Sequence, residues 1–255
     1  LTDPVRGVED IYWADATRGL GTLLMNAGDY ASAEPLLLSA SASTAGDVWV
    51  RYRSHAALAE NYARWGATTP EMIPLAEIAL KLILTDHTFN RVNRYDSSTA
   101  VPYIYYKTYT DLFWTYRQQG RIDEAIAALQ GQLDAPDLAY PTWMSLGMAQ
   151  LLGEFYLWGD VVTSHNPQTA KDLLSAALAA YTGGDIETKG ARDWVQLRIG
   201  QANLMLADTT AAVAAFDAVA ADLGSAWGAR QAGEAIMEKA GILLREDRYT
   251  EAETL

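Results

Sequence analysis

The chain has 255 residues, half of them hydrophobic, and sets 19 Lys and Arg against 32 Asp and Glu for a formal charge of −13. So acidic a surface repels nucleic acid and anionic lipid headgroups, which excludes both as general partners. Cysteine is absent, excluding disulfides, thiolate metal sites and thiol nucleophiles, and no run of about 18 apolar residues is present to form a transmembrane segment.

Leu1 to Glu9 holds Pro4 and Gly7 and reads as an irregular lead-in. From Asp10 to Asn26, Ile11, Leu20, Leu23 and Leu24 recur at helical spacing. Ala27-Gly28-Asp29 turns the chain, Asp29 offers a cap, and a partner helix is expected over Tyr30 to Ser41. The same unit returns in Val48 to Trp65, a turn at Gly66, and Glu71 to Leu84, with Thr69-Pro70 as cap and first position. A connection without clear period, Thr85 to Ala100, follows. The third hairpin joins a tyrosine-rich run, Tyr103 to Tyr116, through Gly120 to a helix carrying Ile122, Ala125, Ile126 and Leu129 on one face. Trp143 to Trp158 with Pro167 to Tyr181, and Ala191 to Leu206 with Thr209 to Asp222, make the fourth and fifth. A sixth begins near Trp227, turns at Glu246-Asp247-Arg248 and is truncated at the C-terminus, at Leu255.

Small residues mark where paired helices cross. Ala33, Ala76, Ala125, Ala170, Ala212 and Ala252 are 43, 49, 45, 42 and 40 residues apart. Such regular spacing of one helical hairpin is the signature of a solenoid, so residues 1–255 are expected to form a single all-α superhelical domain of about six hairpins.

Gly28-Asp29-Tyr30-Ala31-Ser32-Ala33, Gly120-Arg121-Ile122-Asp123-Glu124-Ala125 and Asp247-Arg248-Tyr249-Thr250-Glu251-Ala252 resemble tetratricopeptide repeats. Leu20-Gly21 and Leu24 stand where that family places a large-small pair and an aromatic on the first helix. Phe113 and Tyr116, and Ala240 and Leu243, take those places before the other two turns. The spacing here is longer than the family's usual ~34 residues. The resemblance implies a right-handed α-α superhelix whose concave wall is built from the first helix of each hairpin. In that register the groove candidates are Asp15, Arg18, Arg53, Glu60, Lys107, Trp114, Arg117, Gln118, Trp194 and Gln201. Arg18, Arg53, Lys107 and Arg117 would make a positive groove on a negative molecule, a seat for a carboxylate or acidic peptide. Family members that clamp a peptide C-terminus use two asparagines and further basic residues. Here Thr22, Ala57 and Asp111 replace them, so that clamp is not expected.

Three histidines, His55, His87 and His165, stand without a carboxylate or second histidine at ligand spacing. Phosphate-loop, nucleophile-elbow and zinc patterns are missing, and neither cofactor nor metal is expected. The cluster Tyr103, Tyr105, Tyr106, Tyr109, Trp114 and Tyr116 has two readings: packing of a first helix, or a stacking platform with Tyr106 and Trp114 facing a sugar or an extended peptide. Trp49, Trp143, Trp194 and Trp227 pose the same choice.

The leading expectation is a non-catalytic protein-interaction or assembly scaffold. Its partner is a protein or peptide, including other copies of the chain joined head to tail in an oligomer or filament. The alternative is a glycan- or small-ligand-binding protein of the cell envelope using the aromatic-rich groove; an enzyme working through carboxylates alone comes third. A chain opening at Leu1 without Met or a leader reads as a processed product and points to export to the periplasm, cell surface or medium.

Overall fold

A computed structural model describes residues 4–43, 48–85, 100–134, 141–159, 165–181, 184, 186–221 and 229–255, without the side chains of 4–11, 48, 100, 101 and 186. The architecture starts from one turn used four times. It joins α1 (Pro4–Asn26) to α2 (Tyr30–Ser41), α5 (Ala100–Gln118) to α6 (Ile122–Asp134), α9 (Ile186–Met205) to α10 (Thr209–Ala220), and α11 (Ala229–Arg245) to α12 (Tyr249–Glu253). At each, one residue takes a left-handed conformation: Gly28 (φ 83°), Gly120 (φ 71°), Ala207 (φ 60°) and Asp247 (φ 59°). Its amide donates to the carbonyl three residues back, and the next amide to the carbonyl five back. Gly120 N to Arg117 O (3.0 Å) and Arg121 N to Tyr116 O (2.9 Å) are one such pair. These bonds satisfy carbonyls that the ending helix leaves open. At two of the four turns the next helix starts on a side-chain cap: Asp29 accepts from Ser32 N (3.2 Å) and Asp208 from Ala211 N (3.0 Å).

Within a hairpin the axes approach closely. Ala33, Ala76, Ala125, Ala170 and Ala212 are fully buried, as are Leu37, Leu129, Leu174 and Phe216 one turn further on. The facing position on the first helix is glycine in three hairpins. A Cβ on Gly21 would stand 2.8 Å from Leu37, one on Gly153 2.7 Å from Leu174, and one on Gly200 2.4 Å from Phe216. The roughly 1 kcal/mol that glycine costs inside a helix is offset by seating the large side chain of the second helix. Ala252, on the short α12, is only half-buried.

The remaining hairpins join α3 (Val48–Trp65) to α4 (Ile73–Thr85) through a 3-10 turn at Pro70–Met72, and α7 (Thr142–Trp158) to α8 (Pro167–Ala180). Several boundaries differ from those expected; α9, for example, begins at Ile186 rather than Ala191. The first helix begins at Pro4 rather than Asp10, a proline being well suited to a first turn where its missing amide is not needed. Glu71 belongs to the 3-10 turn, and α4 starts only at Ile73; Pro74 has no amide to give, and the Thr69 side chain makes no capping bond. Most of the connection from Thr85 to Ala100 lies outside the described residues.

Among the described residues there are twelve α-helices and no strand. They fall into two compact units, residues 1–129 and 130–255. In the first, α1 packs on α2 and α3, α2 on α3, α3 on α4 and α5, and α4 on α5. In the second, α7 packs on α8 and α9, α8 on α9, α9 on α10 and α11, α10 on α11, and α11 on α12. Each unit is thus a helical array in which sequential neighbours pack and first helices also touch one another.

Candidate binding cleft

In the first unit, α1, α3 and α5 enclose a cleft of about 610 Å³. Small side chains make the space: Ala56, Ala57, Ala59 and Ala63 on α3 line it, with Leu80 of α4. The rim is chemically mixed. Arg18 and Thr22 come from α1, Trp49, Tyr52, Arg53 and Glu60 from α3, and Tyr103, Lys107, Asp111, Trp114, Thr115 and Gln118 from α5. Helical spacing brings each set to one face, since Lys107, Asp111, Trp114 and Gln118 are four, three and four residues apart.

Most of the charge is balanced locally. Arg18 donates to Asp15 through Nη2 (2.7 Å) and Nε (3.1 Å), Lys107 donates to Asp111 (3.1 Å), and Glu60 accepts from Arg64 (2.5 Å). Arg53 is exposed, with its guanidinium 5.9 Å from the centre of the Trp49 ring. Trp49 meets Tyr103 at 6.0 Å between centroids, and Tyr103 meets Tyr106 at 6.4 Å, so an aromatic row runs along this side. Burial, reinforced by Asp111 and Tyr103 and opposed by Arg53, pushes the Tyr52 phenol well above the ordinary tyrosine range. Burial also lifts Tyr106. It raises Asp111 above the usual carboxylate value against the pull of Lys107, and Glu60 adds to the rise. Burial works against the charge on Lys107, but Asp111, by charge and by hydrogen bond, more than offsets it and holds its pKa up.

The equivalent helices of the second unit are arranged differently. Arg198 of α9 lies between two indoles, 4.9 Å from the centre of Trp158 and 4.8 Å from that of Trp194. Its Nε donates to Glu154 (2.7 Å), and its Nη1 to Gln201 (2.8 Å) and Glu234 (3.0 Å). Gln201 donates in turn to Glu238 (2.9 Å), and Arg230 caps the Trp194 ring at 5.6 Å.

Of the residues nominated from sequence, Arg18, Arg53, Glu60, Lys107, Trp114 and Gln118 line the cleft together, while Asp15 is outside the lining and pairs with Arg18. Arg117 is outside the lining and stacks on Trp114 at 5.0 Å, and Tyr106 adjoins through Tyr103. Trp194 and Gln201 belong to the second unit and partner Arg198. The tyrosine cluster divides: Tyr105 and Tyr116 are buried, Tyr103 and Trp114 face the cleft, and Trp114 is 45 % exposed. Sequence reasoning passed over Trp49 as a lining residue, Tyr52, and Arg198; the usable signal was an aromatic four residues from an arginine, Trp49 to Arg53 and Trp194 to Arg198. His55 is half-buried and His165 exposed, while His87 and Trp227 lie outside the described residues. Among the described residues no three His, Asp or Glu side chains come together to hold a metal ion, and no helix is long and apolar enough to cross a membrane.

The fold and the cleft define a class, an all-helical array of sequentially packed pairs with a mixed polar and aromatic cavity on its first helices. Compared with protein-family models, curated proteins and solved structures, the chain matches none of them.

Proposed function

We propose that this protein is a non-catalytic interaction module of the tetratricopeptide-repeat kind, its hairpins stacked in a right-handed superhelix, and that it holds an extended segment of a partner protein in the cleft of its first unit. The observation carrying this reading is the cleft itself. It is lined by three first helices, floored by alanines, and bounded by aromatic faces and by an arginine, Arg53, turned to solvent. Clefts of a few hundred Å³ with a few convergent polar groups are the usual seats of ligands. Aromatic and arginine side chains are the usual anchors of protein contacts.

The test is selection from a displayed random-peptide library, with an Arg53→Gln/Trp114→Ala double variant as counter-target. Peptides enriched on the native protein should bind it at least ~10-fold more tightly than the double variant, as expected when anchor residues are lost. Peptides that bind both proteins equally, or no enrichment at all, would overturn the peptide reading. The aromatic row Trp49–Tyr103–Tyr106 favours a second reading, an oligosaccharide stacked on those rings. A tryptophan-fluorescence response to oligosaccharides that vanishes in Trp114→Ala would select it instead.

A further inference from the structure

Building on the cleft as the seat of a partner segment, we propose that it selects segments carrying one acidic side chain, whose carboxylate is held by the Arg53 guanidinium and the Tyr52 hydroxyl beside the Trp49 ring. Charge singles out Arg53. The cleft is lined by the cations Arg18, Arg53 and Lys107 and the carboxylates Glu60 and Asp111. Arg18 is committed to Asp15, Glu60 to Arg64, and Lys107 and Asp111 to each other. Among the described residues no carboxylate pairs with Arg53, which lies instead over the Trp49 ring at 5.9 Å. The lining thus has one positive charge over, on a chain whose formal charge is −13. Its complement is a single carboxylate, not an acidic run, and the four-cation groove expected from sequence narrows to one point.

Hydrogen bonding singles out the neighbouring residue. Tyr52 is only 6 % exposed and lines the cleft, yet among the described residues nothing hydrogen-bonds its hydroxyl. A polar group so far removed from water is ordinarily paired, and the side left open to a partner is the cleft. Burial, then Asp111 and Tyr103, hold the phenol protonated against the pull of Arg53, so Tyr52 presents a neutral donor. Trp49 ties the two residues together: its ring meets that of Tyr52 edge-on at 6.0 Å, with Arg53 over it, and Tyr103 stands 6.0 Å away. A carboxylate brought here leaves water for aromatic walls, where charge-assisted hydrogen bonds from a guanidinium and a hydroxyl are strong. The alanines of α3 and Leu80 receive its aliphatic stem or an apolar neighbour. A second acid displaced along α3 would meet Glu60, seven residues or two turns from Arg53, and be repelled.

The test takes the peptides enriched on the native protein from a displayed random library and synthesises them with both ends blocked, so that only side chains supply carboxylates. Each should contain an Asp or Glu whose replacement by Asn or Gln weakens binding to the native protein ~10-fold, as expected for a hydrogen-bonded charge. Against Arg53→Gln the same replacement should cost less than ~2-fold, and against Tyr52→Phe an intermediate factor. Tyr52→Phe keeps the ring and removes a hydroxyl without a partner in the protein, so its thermal midpoint should match the native one. Amide forms that bind as well as their acids overturn the carboxylate assignment and leave the peptide reading of the cleft intact. So do acids whose replacement costs as much on Arg53→Gln as on the native protein, and binding that disappears when the peptide's C-terminus is blocked. Full acid dependence in Tyr52→Phe removes the hydroxyl from the site. A library that yields no enriched peptide overturns both readings together.

Discussion

Asp111 in α5 and Arg198 in α9 both stand nine residues before the left-handed turn that ends their hairpin's first helix. In the first unit Asp111 pairs with Lys107, and alanines on the neighbouring helix leave a cavity beside it. In the second, Arg198 is only 11 % exposed, lies over two indole rings, and donates through Nε and Nη1 to Glu154, Glu234 and Gln201. A guanidinium held by two indoles and three polar partners behaves as a packing element. A carboxylate that lines a cavity behaves as part of a wall. The same helical position thus carries structure in one unit and leaves room for a ligand in the other.

The largest expected effect breaks the filled side of this comparison. Arg198→Ala leaves Glu154 and Glu234 without their shared cation and two indoles without a filling. Its cost should be about 2–3 kcal/mol, less than a fully buried pair because the carboxylates are partly solvated. A fall in thermal midpoint, with the loss of protection confined to amides of residues 130–255 in hydrogen exchange, checks it. Next come the turns. Ala207→Gly should stabilise the second unit, and Gly120→Ala should destabilise the first, each by about 1 kcal/mol, because only glycine takes positive φ without a Cβ penalty. Urea midpoints moving in opposite directions would show it.

Acid should discriminate more finely. Burial works against the charge on Glu77, but hydrogen bonds and charge from Lys81 and Arg121 win and hold its pKa below the ordinary 4.5. Folding therefore gains from this group above pH 4.5, and the gain is lost as pH falls through the lowered value. For Asp111, raised above 3.8 on folding, the sign is opposite, and stability is recovered as pH falls through its raised value. Glu77→Gln should flatten the acid limb of first-unit stability in a pH series of melts, and Asp111→Asn should steepen it. Smallest of all, Arg53→Gln should change stability by no more than about 0.5 kcal/mol, because the side chain is exposed; a larger loss would put Arg53 in the structural class of Arg198.

Much of the fold was legible because small residues have few other reasons to recur at such spacing. Five of the six crossing alanines are fully buried; the sixth, Ala252, has no later helix among the described residues to cover it. Helix starts were read less well, since Pro4 and Pro74 shift boundaries by removing amides rather than by changing periodicity. The grouping of Arg18, Arg53, Lys107, Trp114 and Gln118 on one wall followed from register within each helix. The part played by Trp49 and Tyr52 did not, because it depends on how α3 and α5 come together, which no helical period within either one reveals. Arg198 was passed over because a lone arginine on a helix reads as solvated charge, and only its surroundings reveal a buried one.

The glycine-to-bulky seats at Gly21 with Leu37, Gly153 with Leu174 and Gly200 with Phe216 set where this chain can be cut and recombined. Each couple is divided between two helices of one hairpin, so a crossover inside a hairpin parts a notch from its own peg, and between a Leu seat and the Phe216 seat it also brings in a peg of another size. Crossovers between hairpins leave every couple together. Duplication, deletion or grafting of material in this molecule should therefore succeed in whole hairpins and fail in single helices.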